Sequence, residues 1–214
     1  MKISAIIPAG GTSSRFGNTN KLLEKINDKE VIKYTIKAFE KSNVDEIIIC
    51  ANPSIIDILE NILKDYKKVR IIEGGKSRQE SVFNGLKACD CDYVLIHDGA
   101  RPMITPDLIN STIEMVKDKK ALTVATKTID TIKEVIDGKI VKTIDRSKLY
   151  NTQTPQAFEY KLIKETHEKL VGANFTDDAG MVEHFGQDVY ILEGSYKNIK
   201  ITTQNDIEIA KAYL

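Results

Sequence analysis

Ile3-Ser4-Ala5-Ile6-Ile7-Pro8-Ala9-Gly10-Gly11-Thr12-Ser13-Ser14-Arg15-Phe16-Gly17 reads as an apolar β-strand that runs directly into a loop of small residues, with Lys21 shortly after it. In open parallel sheets, ligands bind beyond the carboxyl ends of strands, and small residues there let backbone N–H groups approach a phosphate. The spacing is neither G-x-G-x-x-G nor G-x-x-x-x-G-K-[ST], which sets aside a standard dinucleotide loop or P-loop. What distinguishes the loop is the cation pair Arg15 and Lys21. A guanidinium fork and a compact ammonium together can neutralise a triphosphate and the charge that builds at a phosphorus under attack. The alternative is a glycine-rich turn with two solvated cations.

Outward from this stretch, short β-branched runs alternate with amphipathic segments, the rhythm of βαβ units and a mostly parallel sheet flanked by helices, so an α/β fold is expected. Strands are predicted over Ile3 to Pro8, Glu46 to Ala51, Val69 to Glu73, Tyr93 to His97, Leu122 to Thr126 and Val189 to Glu193. Helices are predicted over Val31 to Ser42, Ser54 to Tyr66, Gln79 to Lys87, Pro106 to Lys117, Tyr160 to Leu170 and Asp206 to Tyr213. The segment from Asp130 to Asp145 instead alternates apolar and polar residues around Asp137-Gly138, a strong hairpin signal. It predicts a projecting β-arm, about residues 128–148, whose apolar face needs either the domain body or a second copy of the chain. A homodimer is the sharper expectation. No repeat or linker divides the chain, and residues 1–214 are read as a single domain.

With 31 basic against 31 acidic residues, the chain has no long-range field to gather nucleic acid or an anionic membrane. Any anion must be held by a focused cluster. Apolar runs such as Ile47 to Ala51 are too short to cross a bilayer, and Gly10-Gly11 arrives too early for a secretory h-region, so a cytoplasmic location is expected. Cys50, Cys89 and Cys91 lack the spacing of a zinc site, as do His97, His167 and His184. No protein metal site is read, and the cysteines are read as idle thiols.

Two further loops follow predicted strands. Gly74-Gly75-Lys76-Ser77-Arg78-Gln79-Glu80-Ser81-Val82 could close with the first loop over a base and ribose, Ser81 supplying a hydrogen bond, or be an ordinary strand-to-helix turn. In His97-Asp98-Gly99-Ala100-Arg101-Pro102, Asp98 could hold a metal or a substrate hydroxyl and Arg101 a phosphate; alternatively the two form an internal ion pair. His97 is read as structural. Thr176-Asp177-Asp178 can cap a helix, and Lys200 lies in a strand-like stretch, Asn198 to Thr202, where a cation needs a reason.

Together and in order, these segments, with Thr154-Pro155-Gln156, resemble the 2-C-methyl-D-erythritol 4-phosphate cytidylyltransferases over nearly the whole chain. The resemblance implies a Rossmann-like nucleotidyltransferase fold whose arm exchanges contacts across a homodimer, with CTP and a polyol phosphate as substrates and Mg²⁺ as cofactor. It implies that Ala9, Gly10, Gly11, Gly75 and Ser81 hold cytosine and ribose, while Arg15 and Lys21 stabilise charge at the α-phosphorus. Asp98, Arg101, Thr176 and Lys200 would hold the polyol phosphate, and Thr131 and Arg146 would reach the partner's site. Ser13 stands where the family usually has a glycine, and Asn20 where it has a proline before Lys21, which leaves the reach of Lys21 less fixed.

The implied reaction is in-line attack by a polyol phosphate oxygen on the α-phosphorus of CTP, with pyrophosphate leaving. It needs cations and positioning rather than a protein nucleophile. A ribitol 5-phosphate cytidylyltransferase is the nearest rival. Its members carry Ser-Val where this chain has Gly99-Ala100, and the smaller pair is expected to leave room for a branched carbon skeleton. A non-catalytic CTP-binding module would not need so many cations, and a nicotinamide-dependent oxidoreductase would need the dinucleotide fingerprint that the first loop lacks.

Overall fold

The protein is described by a computed structural model over residues 1–11, 16 and 20–214. Strand β1 (Ile3–Ala9), the short β2 (Lys25–Ile26) and β3 (Lys29–Glu30), α1 (Val31–Glu40), β4 (Glu46–Ala51) and α2 (Ile56–Leu63) come first. They are followed by β5 (Val69–Glu73), α3 (Arg78–Ala88), β6 (Tyr93–Ile96), α4 (Pro106–Lys119) and β7 (Ala121–Lys127). Then come β8 (Ile132–Ile136), β9 (Lys139–Ile144), β10 (Tyr150–Glu159), α5 (Tyr160–Lys169), α6 (Asp178–His184), β11 (Tyr190–Glu193) and α7 (Gln204–Tyr213). Seven strands form one sheet in the order β11-β7-β10-β6-β1-β4-β5. Only β10 runs antiparallel to its neighbours in that sheet.

The central strands are apolar on both faces because both are covered. In β1, Ala5 and Ile7 join one core with Ile36 of α1, Leu59 of α2, Ile109 of α4 and Ile207 of α7. Ile6, pointing the other way, joins a second core with Val82 and Leu86 of α3, Ile163 of α5 and Val182 of α6. Period-two alternation therefore assigns each side chain to a layer. Each fully buried Ile or Leu contributes about 1.5–3 kcal/mol.

Each of the six predicted strands and six predicted helices is present, with ends moved by at most a few residues. One strand lies outside those six predictions, and one reading changes. The polar run before Glu159 is strand β10, lodged between β6 and β7. Pro155 disguised it: proline cannot donate to a ladder, and the register breaks between Thr152 and Gln156, where that residue sits. Conversely, residues 198–202 form no strand; the Ile201 N–H donates to the Ala100 carbonyl at 2.8 Å and fixes the segment against the loop after β6.

The arm is as expected. Among the described residues, strands β8 and β9 pair only with each other, and the turn places Asp137 (φ 48°) and Gly138 (φ 77°) in the left-handed region that a two-residue hairpin requires. Its apolar side chains do not lie on the body: Ile136 is 58% exposed and Val141 52%.

Helix α3 lies close to the sheet through Gly85, where an added Cβ would come 2.7 Å from Ile6 Cγ2 and 3.0 Å from Cys50 Sγ. Helix propensity alone would favour Gly85→Ala by about 1 kcal/mol, but overpacking costs about 1–3 kcal/mol. The variant is expected to have a lower urea midpoint with unchanged m-value; a raised midpoint would show that α3 is free to shift off the sheet.

Candidate active site

Strand order reverses between β1 and β6: the chain steps outward from β1 to β4 and β5, then α3 carries it back to β6 on the other side of β1. Crevices open at such points, beyond the carboxyl ends of the strands. Here a cavity of about 390 Å³ is lined by Ala9, Gly10 and Gly11 after β1, Lys76 and Arg78 after β5, Asp98 after β6, and Lys21 and Lys200 from more distant segments. Its described charged lining is four cations against one carboxylate. A chain of zero net charge therefore has a positive pocket. The first two loops touch behind it, since a Cβ on Gly10 would sit 2.9 Å from Ser81 Oγ.

Asp98 is the hub. It lies within 2.8 Å of Lys200 Nζ, 3.3 Å of Arg78 Nε and 3.7 Å of Arg101 Nε. Burial would raise its pKa, but the charges of Arg78, Lys200 and Arg101 outweigh burial and hold the carboxylate well below its ordinary range. Arg78 is held from behind by Asp178 at 2.7 Å, and Asp178 also meets His167 Nε2 at 3.2 Å. Gln156 anchors that carboxylate: its Oε1 accepts the N–H groups of Asp178 and Ala179, and its Nε2 donates to Asp177. Arg101 is itself fixed by donating to the Asn198 carbonyl at 2.7 Å.

The chain matches the family model described as 2-C-methyl-D-erythritol 4-phosphate cytidylyltransferase (IspD) over residues 3–214. The chain belongs to that family. A curated relative of that name from Clostridioides difficile (strain 630) is 45% identical over 220 residues, covering 99% of this chain and 93% of the relative. The 4-diphosphocytidyl-2C-methyl-D-erythritol synthase structure from Anaerococcus prevotii DSM 20548 is similar with a TM-score of 0.89 at 38% identity, covering 99% of this chain and 95% of that one. The Francisella tularensis 2-C-methyl-D-erythritol 4-phosphate cytidylyltransferase (IspD) gives a TM-score of 0.84 at 30% identity, each chain wholly covered.

Of the residues that resemblance to these cytidylyltransferases singles out, Ala9, Gly10, Gly11, Lys21, Asp98 and Lys200 line one cavity. Arg15 and Ser13 lie outside the described residues. Gly75 and Ser81 stand behind the cavity instead of lining it: the Ser81 hydroxyl accepts the Gly75 N–H at 2.9 Å and donates to the Ser77 carbonyl at 2.8 Å, shaping the loop from inside. Arg101 is buried beside Asp98 and also does not line the cavity. Thr131 and Arg146 are exposed on the arm, Arg146 donating to the Ile129 carbonyl, and Thr176 is exposed just before α6; none of the three reaches the cavity.

One reading of this cytidylyltransferase loop chemistry is corrected. Asn20 does not leave Lys21 loosely held, because its Oδ1 accepts the Leu22 N–H at 3.0 Å and its carbonyl accepts the Leu23 N–H at 2.9 Å, an Asx turn in place of a proline. Gly99 and Ala100 both line the cavity, and a Cβ on Gly99 would meet Ile32 Cδ1 at 2.9 Å and Ile7 Cγ2 at 3.2 Å, so the smallness of Gly99 also serves the packing beneath the loop. Arg78 was assigned no role in the sequence. A signal existed, since a cation at the first position of a helix opposes the helix dipole and needs a carboxylate nearby.

His97 is structural. It is fully buried, 3.0 Å from Thr154 Oγ1 and tilted against Phe39, and burial lowers its pKa to about 3. From about pH 6.5 down to that value the unfolded chain binds a proton that the folded chain refuses, so stability falls as pH falls across this window. Between pH 7 and pH 5 the wild type is expected to lose about 2 kcal/mol more unfolding free energy than His97→Asn. Equal losses in urea titrations would show that His97 takes up its proton without unfolding.

Proposed function

We propose that the chain, working as one domain, transfers the cytidylyl group of CTP to 2-C-methyl-D-erythritol 4-phosphate, giving 4-diphosphocytidyl-2-C-methyl-D-erythritol and pyrophosphate for isoprenoid precursor synthesis by the non-mevalonate route. The observation that carries this reading is the convergence of Lys21 and Lys200, far apart in sequence, on one cavity with Asp98 and the Ala9-Gly10-Gly11 backbone. Family membership supplies the substrates.

The attacking phosphate is already anionic, so the barrier lies in bringing two polyanions together and stabilising the charge shared between attacking and leaving oxygens. Ala9, Gly10 and Gly11 present backbone to the nucleotide, and Gly75 and Ser81 brace that surface. Lys21, with Arg15, neutralises the α-phosphate. Lys200, held by Asp98, meets the incoming polyol phosphate, while Asp98 can accept hydrogen bonds from its hydroxyls. Arg101, buried beside Asp98, braces that carboxylate from behind.

No three His, Cys, Asp or Glu side chains come together as a metal cage among the described residues, and both Asp98 oxygens are already engaged by cations. A resident metal does not fit these residues. Mg²⁺ belongs in this scheme with the substrate, as the counter-ion of CTP.

We also propose a homodimer through the arm, in which Thr131 and Arg146 serve the partner's site. The exposed apolar face of the arm favours it, as do its strands, paired with nothing else among the described residues. No helix among the described residues is long and apolar enough to cross a membrane, and the cytoplasm is the proposed location.

The test is pyrophosphate release from CTP and Mg²⁺ with 2-C-methyl-D-erythritol 4-phosphate, run beside ribitol 5-phosphate. The methylerythritol substrate is expected to turn over and the ribitol one to lag far behind. Lys21→Ala is expected to lower kcat by about 10²–10³-fold. Near-normal turnover of that variant at saturating substrates would remove Lys21 from the mechanism, and preference for ribitol 5-phosphate would reassign the substrate.

A further inference from the structure

Cys89 and Cys91 flank Asp90 where α3 hands the chain to β6. The fold turns this C-x-C spacing into a contact, with the two Sγ atoms 3.8 Å apart. Their surroundings differ. Cys89 is buried and its Sγ lies 3.5 Å from the Leu86 carbonyl, whereas Cys91 is half-buried and meets both the backbone and the hydroxyl of Ser4. Cys50, the third thiol, is sealed in the core beneath α3.

We propose that Cys89 and Cys91 form a redox-modification site, in which a peroxide oxidises the Cys91 sulfur and Cys89 resolves it as an intramolecular disulfide. The Cys91 thiolate attacks one peroxide oxygen, the O–O bond breaks, and hydroxide leaves and takes up a proton as water. This gives a sulfenic acid at Cys91. The Cys89 sulfur then attacks the Cys91 sulfur, the S–O bond breaks, and the Cys89 proton departs with the oxygen as a second water. Two thiols and one hydrogen peroxide thus become one disulfide and two waters.

The order of events follows from the environment. A thiol oxidises as its thiolate, so the accessible and more acidic partner reacts first. The contact with Cys89 lowers the Cys91 pKa, against burial, with further help from Ser4; the same contact and burial raise that of Cys89. Burial pushes the Cys50 thiol up to about 12, which withholds it from this chemistry. Residues two apart span at most about 7 Å between Cα atoms, the outer edge of disulfide geometry. Closure must bring the sulfurs from 3.8 Å to bonding distance, and the small ring it makes is easily reduced.

The test is mass spectrometry of the whole chain after brief exposure to hydrogen peroxide, with and without dimedone. The wild type is expected to lose two hydrogens, take up no dimedone, map its bond to Cys89–Cys91, and return to the dithiol with dithiothreitol. Cys89→Ser is expected to carry dimedone on Cys91, and Cys91→Ser is expected to remain unmodified under the same exposure. Peroxide stability of both thiols in the wild type, a bond between two chains, direct passage of Cys91 to sulfinic acid, or oxidation of Cys50 at a matching rate would each overturn the proposal. If either serine variant fails to fold, the wild-type dimedone result and peptide map decide it alone.

Discussion

A carboxylate taken out of water and kept charged is what the site is built around. Removing an ion from water costs several kcal/mol, and only close partners of opposite charge offset it. Asp98 has three, Arg78, Arg101 and Lys200, and each comes from a different element or loop. The carboxylate therefore draws the start of α3, the loop after β6 and the segment before α7 into one wall. Two of those cations, Arg78 and Lys200, line the cavity together with Lys21 and Lys76. A buried acid thus helps hold a positive pocket together in a chain whose charges cancel overall.

The same logic extends one layer back. Asp178 holds Arg78 on its far side, and Gln156 of β10 fixes the start of α6 that carries Asp178. The segment Thr154-Pro155-Gln156 thereby contributes to the site without touching the cavity. Gln153 and Thr154 both receive Asn198, whose carbonyl holds Arg101. The central antiparallel strand is thus the frame on which two of the three partners of Asp98 are set.

Local pattern was enough for the sheet strands with β-branched runs, and for the arm, because Asp137-Gly138 and strict alternation leave few other structures open. It was not enough for β10, where polar residues and Pro155 resemble a loop and only pairing with β6 and β7 makes a strand. At the site, residue type and position after a strand single out Lys21 and Asp98, whereas Lys200, which lines the same cavity, is singled out by the family resemblance. Arg78 was legible only in principle, because its partners Asp98 and Asp178 are distant in sequence. The inward roles of Ser81 and Gly99 depend on which way a side chain points, and that is a property of packing. The contact between Cys89 and Cys91 has the same origin: the spacing is plain, but the approach of the sulfurs is set by how α3 meets β6.

The central claim is that Asp98 and the cations around it act as one unit. A double-mutant cycle on kcat/KM for the polyol phosphate, using Asp98→Asn, Lys200→Met and the double variant, tests it most directly. Residues that act as a unit are strongly non-additive, so the double variant should be little worse than the poorer single one, with a coupling energy of at least about 1.5 kcal/mol. Losses that simply multiply would show that Asp98 and Lys200 act independently and would contradict the account.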